Sequence, residues 1–184
     1  MNETLISIAE RYTCRDFTET PLSDEQVQAL VDAALAAPSG MNRQPWHVIV
    51  INDKNLVDEL DAEGLQLLAA AEDKSGYERI MSRGGKLFYN APCMILVAAD
   101  GNTSYAMDCG ILSQNVALAA HSLGLGSCIC GMASAPFSGP NGNSYKERLQ
   151  FPPGYVFGIS ILVGTAKTTK APHDLDAAKV TIIK

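Results

Sequence analysis

The sequence predicts a central β-sheet covered by helices, in the α/β or α+β class. Three features carry that reading. Apolar, β-branched runs at residues 46–51, 93–99 and 156–163 read as buried strands. The segments between them repeat their apolar residues at helical spacing. With 184 residues, 47% of them hydrophobic and 18% charged, the chain is long and apolar enough for one sizeable core. Residues 1–184 therefore read as a single domain, and they contain no internal repeat or low-complexity segment.

Residues 3–11 form a short helix with Leu5, Ile8 and Ala9 on one side. Pro21 breaks the chain. Ser23 and Gln26 then have the spacing of a capping box, with Asp24 and Glu25 at the positive helix end. Val27, Leu30, Val31, Ala34 and Leu35 follow at i, i+3, i+4, i+7 and i+8, and Pro38 stops that helix. The strand over 46–51 closes at Asn52 and Asp53. Residues 54–71 read as a helix. Residues 73–90 are charged and carry glycines, with a helix around 77–81 and then a loop. A second buried strand covers 93–99. Residues 105–123 form a long helix with Gly124 as its C-cap. Its apolar character on several sides points to a central position or a subunit contact. Residues 125–130 are a third strand, and 133–142, with Pro136, Gly139, Pro140 and Gly142, read as loop. A short helix is expected over 145–149, the strongest strand over 156–163, and a terminal edge strand over 180–183.

The net charge of −6 comes from 14 basic and 20 acidic residues with no basic patch, which argues against a nucleic-acid partner. No apolar run reaches membrane-spanning length, and the N-terminus lacks a signal-peptide pattern. A cytoplasmic protein with no membrane partner is expected. Cys14, Cys93, Cys109, Cys128 and Cys130 are odd in number and widely spread, which favours free thiols. Cys128 and Cys130 have no second Cys or His pair, and His47, His121 and His173 lack ligand spacing, so no metal site is expected.

Two short segments hold the candidate chemistry. Arg11, Tyr12, Thr13 and Arg15 put two guanidinium forks and a hydroxyl on one stretch, which suits a phosphate. Ser39, Asn42 and Gln44 lie on a polar loop that runs into a strand. Side-chain amides both donate and accept, which suits the edge of a planar heterocycle. Together the segments suggest a phosphorylated cofactor. Other motifs do not compete. Gly124-Leu125-Gly126 follows a helix and precedes a strand, the reverse of a dinucleotide fingerprint. There is no Walker A sequence, and Ser39 has no hydrolase-like partners. Plainer readings stand beside these: solvated arginines, turn-forming Ser39 and Asn42, and ordinary packing for Trp46, Tyr77 and Tyr89. Gln114 and Asn115, on so apolar a helix, suggest buried hydrogen bonding.

Arg11-x-Thr13-x-Arg15-x-Phe17 and Ala37-Pro38-Ser39-x-x-Asn42-x-Gln44-Pro45-Trp46 resemble the nitroreductase family of flavoproteins. Further matches run in order: Ala91-Pro92 before a strand, Asp108 and Gln114-Asn115 on the long helix, Gly124-Leu125-Gly126-Ser127 leading to Ile129-Cys130-Gly131, and Gly164 before a basic tail. The resemblance implies an α+β fold with a central mixed, mainly antiparallel sheet. It also implies an intertwined homodimer with FMN bound at the dimer interface. Arg11, Tyr12, Thr13 and Arg15 would lie at the cofactor, the arginines reaching its phosphate and pyrimidine edge. Pro38, Ser39, Gly40, Met41, Asn42 and Gln44 would line the flavin, part of this loop coming from the partner. The backbone of Cys130 and Gly131 would approach flavin N5, and Lys167 or Lys170 would complete the phosphate site.

The implied activity is reduction of FMN by NADH or NADPH, followed by reduction of a small nitroaromatic or quinone in the same place. The chemistry would belong to the cofactor, so no catalytic side chain is assigned. Arg15 is the candidate for placing positive charge near flavin N1 and O2. Alternatives on the same fold are a specialised reaction (dehydrogenation, dehalogenation, flavin breakdown) or non-enzymatic flavin binding. The chain departs from larger relatives between Ala99 and Tyr105, where it lacks a long helical excursion. A cover over the flavin would come from residues 73–90, from residues 133–142, or be absent.

Overall fold

The computed structural model describes residues 2–184. The helices are α1 (Glu3–Glu10), α2 (Asp24–Leu35), α3 (Lys54–Ala70), α4 (Ser75–Met81), α5 (Ala106–Ser122), α6 (Ala135–Ser138) and α7 (Gly142–Arg148). The strands are β1 (Trp46–Ile51), β2 (Cys93–Asp100), β3 (Gly126–Ile129) and β4 (Tyr155–Gly164). They form one sheet in the order β1-β2-β4-β3 with every neighbouring pair antiparallel. The fold is α+β, as the family resemblance implies. The parallel component reduces to one isolated bridge between Thr13 and Ser127.

Helices cover both faces of the sheet. One face packs on α2 and α5 through Leu30, Ala34, Leu112 and Val116. The other packs on α3, α6 and α7 through Leu60, Phe137 and Tyr145. The seven residues from Cys93 to Ala99 are consequently all buried, which explains why β2 reads as a continuous apolar run rather than an alternating one. The expected caps are present. Ser23 and Gln26 make both bonds of the capping box. At the end of α5, Leu125 N–H donates to Ala120 O (2.8 Å) and Gly124 N–H to His121 O (2.9 Å). That pairing requires a left-handed residue, and Gly124 has φ +71°. Asn115 Nδ2 donates to Ala33 O at 3.2 Å, tying α5 to α2 as the buried-amide reading expects.

Three expectations need correction. Residues 133–142 are largely helical, comprising part of a 3₁₀ turn at Gly131–Ser134, then α6 and the start of α7. Pro136 lies in the first turn of α6, where no intrahelical N–H is required, so it starts a helix instead of breaking one. Phe137 anchors α6, with its ring centroid 5.5 Å from those of Phe151 and Phe157. The short helix expected at 145–149 accordingly begins earlier, at Gly142. Residues 180–183 form no strand; the chain leaves the sheet after Ala166, and Val180, Ile182 and Ile183 are exposed and paired with no strand.

Asp61 of α3 is the one buried carboxylate of the core. It accepts the backbone N–H of Phe88 and so fixes the loop between α4 and β2. Burial pushes its carboxyl above the ordinary value, while the Phe88 N–H and the Lys86 charge pull it back. A carboxyl raised in the folded state contributes stability below its unfolded value, about 4, and loses that contribution as pH rises through its folded value. Asp61→Asn keeps an acceptor for Phe88 and removes the ionisation. The melting temperature of wild type relative to Asp61→Asn is therefore expected to fall as pH rises above about 4; a difference independent of pH would contradict this reading.

Candidate functional site

The first candidate segment is held in an extended conformation by three partners. Arg11 ends α1 and turns the chain out of the helix, with φ −56° and ψ 132°. Cys14 N–H donates to Ser127 O of β3 at 2.9 Å, and Phe17 N–H to Tyr89 O at 3.3 Å. The C-terminal tail then lies alongside: Thr18 N–H donates to Thr165 O (2.8 Å), Lys167 N–H to Asp16 O (2.9 Å), and Tyr12 OH to Thr168 O (3.0 Å). Cys14 and Phe17 are buried in the core, and Arg15 is exposed. The junction is tight because β3 begins with Gly126. A Cβ there would lie 2.8 Å from Cys14 Cβ and 3.1 Å from Ala166 Cβ.

This arrangement discriminates between the two candidate lysines. The backbone of Lys167 is bonded directly to the arginine segment, whereas Lys170 lies beyond the last tether at Thr168. Arg11 Nε is buried with no hydrogen-bond partner. An unmatched buried N–H costs about 1–3 kcal/mol, which an anionic oxygen would offset. Arg15 follows Cys14, whose N–H is bonded to Ser127 of β3, and its side chain is exposed beside the end of β3 that leads to Gly131. At that end Cys130 N–H donates to Ser160 O at 2.8 Å, and Ser160 Oγ donates to Cys130 O at 3.0 Å. Both backbone groups of Cys130 are thus used to hold the turn, leaving Gly131, which is exposed, as the next residue with a free face.

The second segment forms a compact loop. Gln44 N–H donates to Ser39 Oγ (2.9 Å), and Gln44 Nε2 donates to Asn42 Oδ1 (3.0 Å). The turn-forming reading of Ser39 and Asn42 therefore holds, while the Ser39 O–H, the Asn42 amide nitrogen and the Gln44 carbonyl oxygen remain available for a ligand. Met41, Asn42 and Gln44 have φ of 54°, 53° and 47°. Left-handed backbone at non-glycine residues costs about 1–3 kcal/mol each and concentrates at functional sites. The loop is held from outside by Asp108, whose Oδ1 accepts Gly40 N–H at 3.1 Å. Asp108 was legible only as part of the family pattern; its role as a tether comes from the structure.

The two segments do not meet within one chain. Gly40 is fixed to Asp108 near the start of α5, while Glu10 approaches His121 at 4.0 Å near its end. Thirteen residues of helix rise roughly 20 Å. Of the expected site residues, the structure brings together Arg11, Tyr12, Thr13, Arg15 and Lys167, with Cys130 and Gly131 beside them. It places Pro38, Ser39, Gly40, Met41, Asn42 and Gln44 at the other end of α5, and Lys170 on the exposed tail. Trp46 and Tyr89 are buried, so the packing reading holds for both.

All five thiols are free and buried. Burial pushes Cys93 and Cys128 up to about 12 and Cys109 up to about 11, and raises Cys14 and Cys130. These thiols stay protonated and poorly nucleophilic at neutral pH. Among the described residues, no helix is long and apolar enough to cross a membrane.

Comparison with known proteins bears on this arrangement. The model of the nitroreductase family matches residues 8–164. A nitroreductase from Desulfitobacterium hafniense DCB-2, solved with bound FMN, is 53% identical and superposes with a TM-score of 0.97, covering 100% of both chains. A nitroreductase from Bacteroides fragilis, also solved with FMN, is 25% identical with a TM-score of 0.91 and covers 100% of both chains. The FMN reductase (NAD(P)H) of Bacillus subtilis is 26% identical over 89% of this chain and 65% of its own.

The Asp108 tether predicts a measurable protection. Asp108→Ala is expected to raise amide hydrogen exchange at Gly40 by about tenfold, the loss of one charge-assisted hydrogen bond. Asp108→Asn, which keeps a carbonyl acceptor, retains most of the protection. Equal exchange in wild type and Asp108→Ala would remove Asp108 from the site.

Proposed function

This chain belongs to the nitroreductase family, and from that premise we propose that it uses NADH or NADPH to reduce a small acceptor, a nitroaromatic or a quinone, through FMN in two half-reactions at one site. The observation that carries the reading is the cradle of Arg11, Thr13, Arg15 and Lys167, tied backbone to backbone, with an unmatched buried Arg11 Nε. That donor set fits a phosphate. When bound, FMN supplies the centre that takes hydride from the nicotinamide and passes it to the acceptor.

The chain's own residues bind and orient. Arg11 and Lys167 hold the phosphate. Arg15 extends from the same segment toward Gly131 and sets positive charge against the pyrimidine edge. The Gly131 backbone faces the reactive side. Ser39, Asn42 and Gln44 supply the complementary donors and acceptors for the ring system.

Because α5 keeps these two groups apart, the second group comes from another copy of the chain, and the functional unit is a homodimer. The exposed apolar surface supports that assembly. Met41 is 85% exposed and Met107 78%, at one end of α5. The tail carries Leu175 and Ile183, exposed by 90% and 93%. Apolar residues so exposed on one protomer suit an interface, and an extended tail suits one that wraps around its partner. Residues 180–183 then have on a second protomer the packing surface they lack on their own.

The test is a spectrum. Purified protein, reconstituted with FMN if necessary, is expected to show flavin absorbance that bleaches with NADH or NADPH without oxygen. The absorbance returns when a nitroaromatic or quinone is added. Flavin that neither donor bleaches would contradict the reductase reading, and protein that takes up no FMN would contradict the cofactor site.

A further inference from the structure

We propose that Arg79 of α4 is a specificity-determining residue that binds an anionic group, a carboxylate, on the acceptor. The proposal rests on the reading above that the Gly131 backbone borders the reacting face. Its motivating contact is that Arg79 Nη2 lies 3.9 Å from Met132 Sδ, one residue beyond Gly131. Helix α4 is pinned to the core by Ile80, which is buried, so the neighbouring Arg79 is exposed and directed across to the Gly131–Ser134 turn. This is the segment left by the sequence as a cover for the flavin, and it arrives carrying charge.

The charge is concentrated and partly unpaired. Residues 74–86 hold Lys74, Arg79, Arg83 and Lys86 against the single carboxylate of Glu78, in a chain of net charge −6. Lys74 Nζ donates to Ala69 O at 2.8 Å, and Lys86 lies 3.8 Å from Asp58. Arg79 and Arg83 have no carboxylate within 4.0 Å among the described residues. A thioether is a weak acceptor and leaves most of the five guanidinium donors of Arg79 unsatisfied. A planar fork with free donors matches a carboxylate in bidentate fashion. Arg83, in the turn just after α4, adds attraction at longer range. An acceptor with its reducible group beside Gly131 and a carboxylate at its far end satisfies both. The 2′-phosphate of NADPH shares this chemistry, and the acceptor is favoured because Met132 directly adjoins the reacting face.

The experiment compares wild-type holoprotein with Arg79→Ala and Arg79→Lys. Benzoate and benzamide are titrated into the oxidised holoprotein and followed by perturbation of the flavin spectrum. Turnover is measured with 4-nitrobenzoate and its methyl ester, using NADH and NADPH separately. Arg79→Ala is expected to weaken benzoate binding and to lower kcat/KM for 4-nitrobenzoate by about tenfold each, the loss of one charge-assisted hydrogen bond. Benzamide binding, turnover of the ester and bleaching by donor stay unchanged, and Arg79→Lys recovers part of the loss. Equal losses for acid and ester, or benzoate binding untouched by Arg79→Ala, would overturn the proposal. A change in NADPH over NADH preference with the acid-to-ester ratio unaltered would overturn it in favour of the donor phosphate. Holoprotein that no donor bleaches would contradict the reductase reading, while the benzoate titration would still decide the role of Arg79.

Discussion

A 17-residue helix spans roughly 25 Å, and α5 separates one group of candidate site residues at its start from another at its end. Asp108 fixes the Ser39–Gln44 loop to the first turn. The Arg11–Phe17 segment lies by the last turn, against β3. Both ends are anchored, the first by a carboxylate and the second by the left-handed Gly124 turn that leads directly into β3. No loop motion of ordinary size brings these groups together within one chain. That separation is the ground on which a composite site and a homodimer are proposed.

The arginine end has its own dependence on close packing. β3 is a sheet edge, and such an edge accepts further strands. Here the edge takes Thr13 and Cys14, and the tail then closes over them from Thr165 to Thr168. Gly126 permits the approach, since any side chain there would strike Cys14 and Ala166. Cys14 and Phe17 are buried in the core, and Arg15 between them is exposed. The surrounding thiols, raised by burial, contribute packing and no nucleophile. The chain supplies position and charge, and leaves electron transfer to the cofactor.

The strands and long helices were legible because their signals are local: the capping box at Ser23, the left-handed stop at Gly124, the continuous apolar run of β2. Pro136 was misread because proline both breaks helices and begins them, and only the packing of Phe137 decides between the two. Residues 180–183 have strand-like composition without a strand, because composition is local and pairing is not: the chain leaves the sheet after Ala166 and does not return to it. The candidate site residues were proposed from motif chemistry and the family resemblance. Their grouping was not legible there: which lysine is tethered, which backbone groups of Cys130 are used, and what holds Gly40 are non-local hydrogen bonds. Arg79 gave no motif signal at all, being one charge in a charged stretch until the fold places it over Met132.

The most direct measurement of the central claim is subunit complementation. One variant carries Arg11→Ala with Arg15→Ala, the other Ser39→Ala with Gln44→Ala, and each alone is expected to bind FMN poorly. Refolding the two together in equal amounts produces mixed dimers in which one of two sites has every residue intact. The account predicts that FMN binding returns to about a quarter of the wild-type site number, as random pairing of two chains requires. Mixed protein that binds no more FMN than either variant alone would contradict it, since a site built within one chain is not restored by mixing.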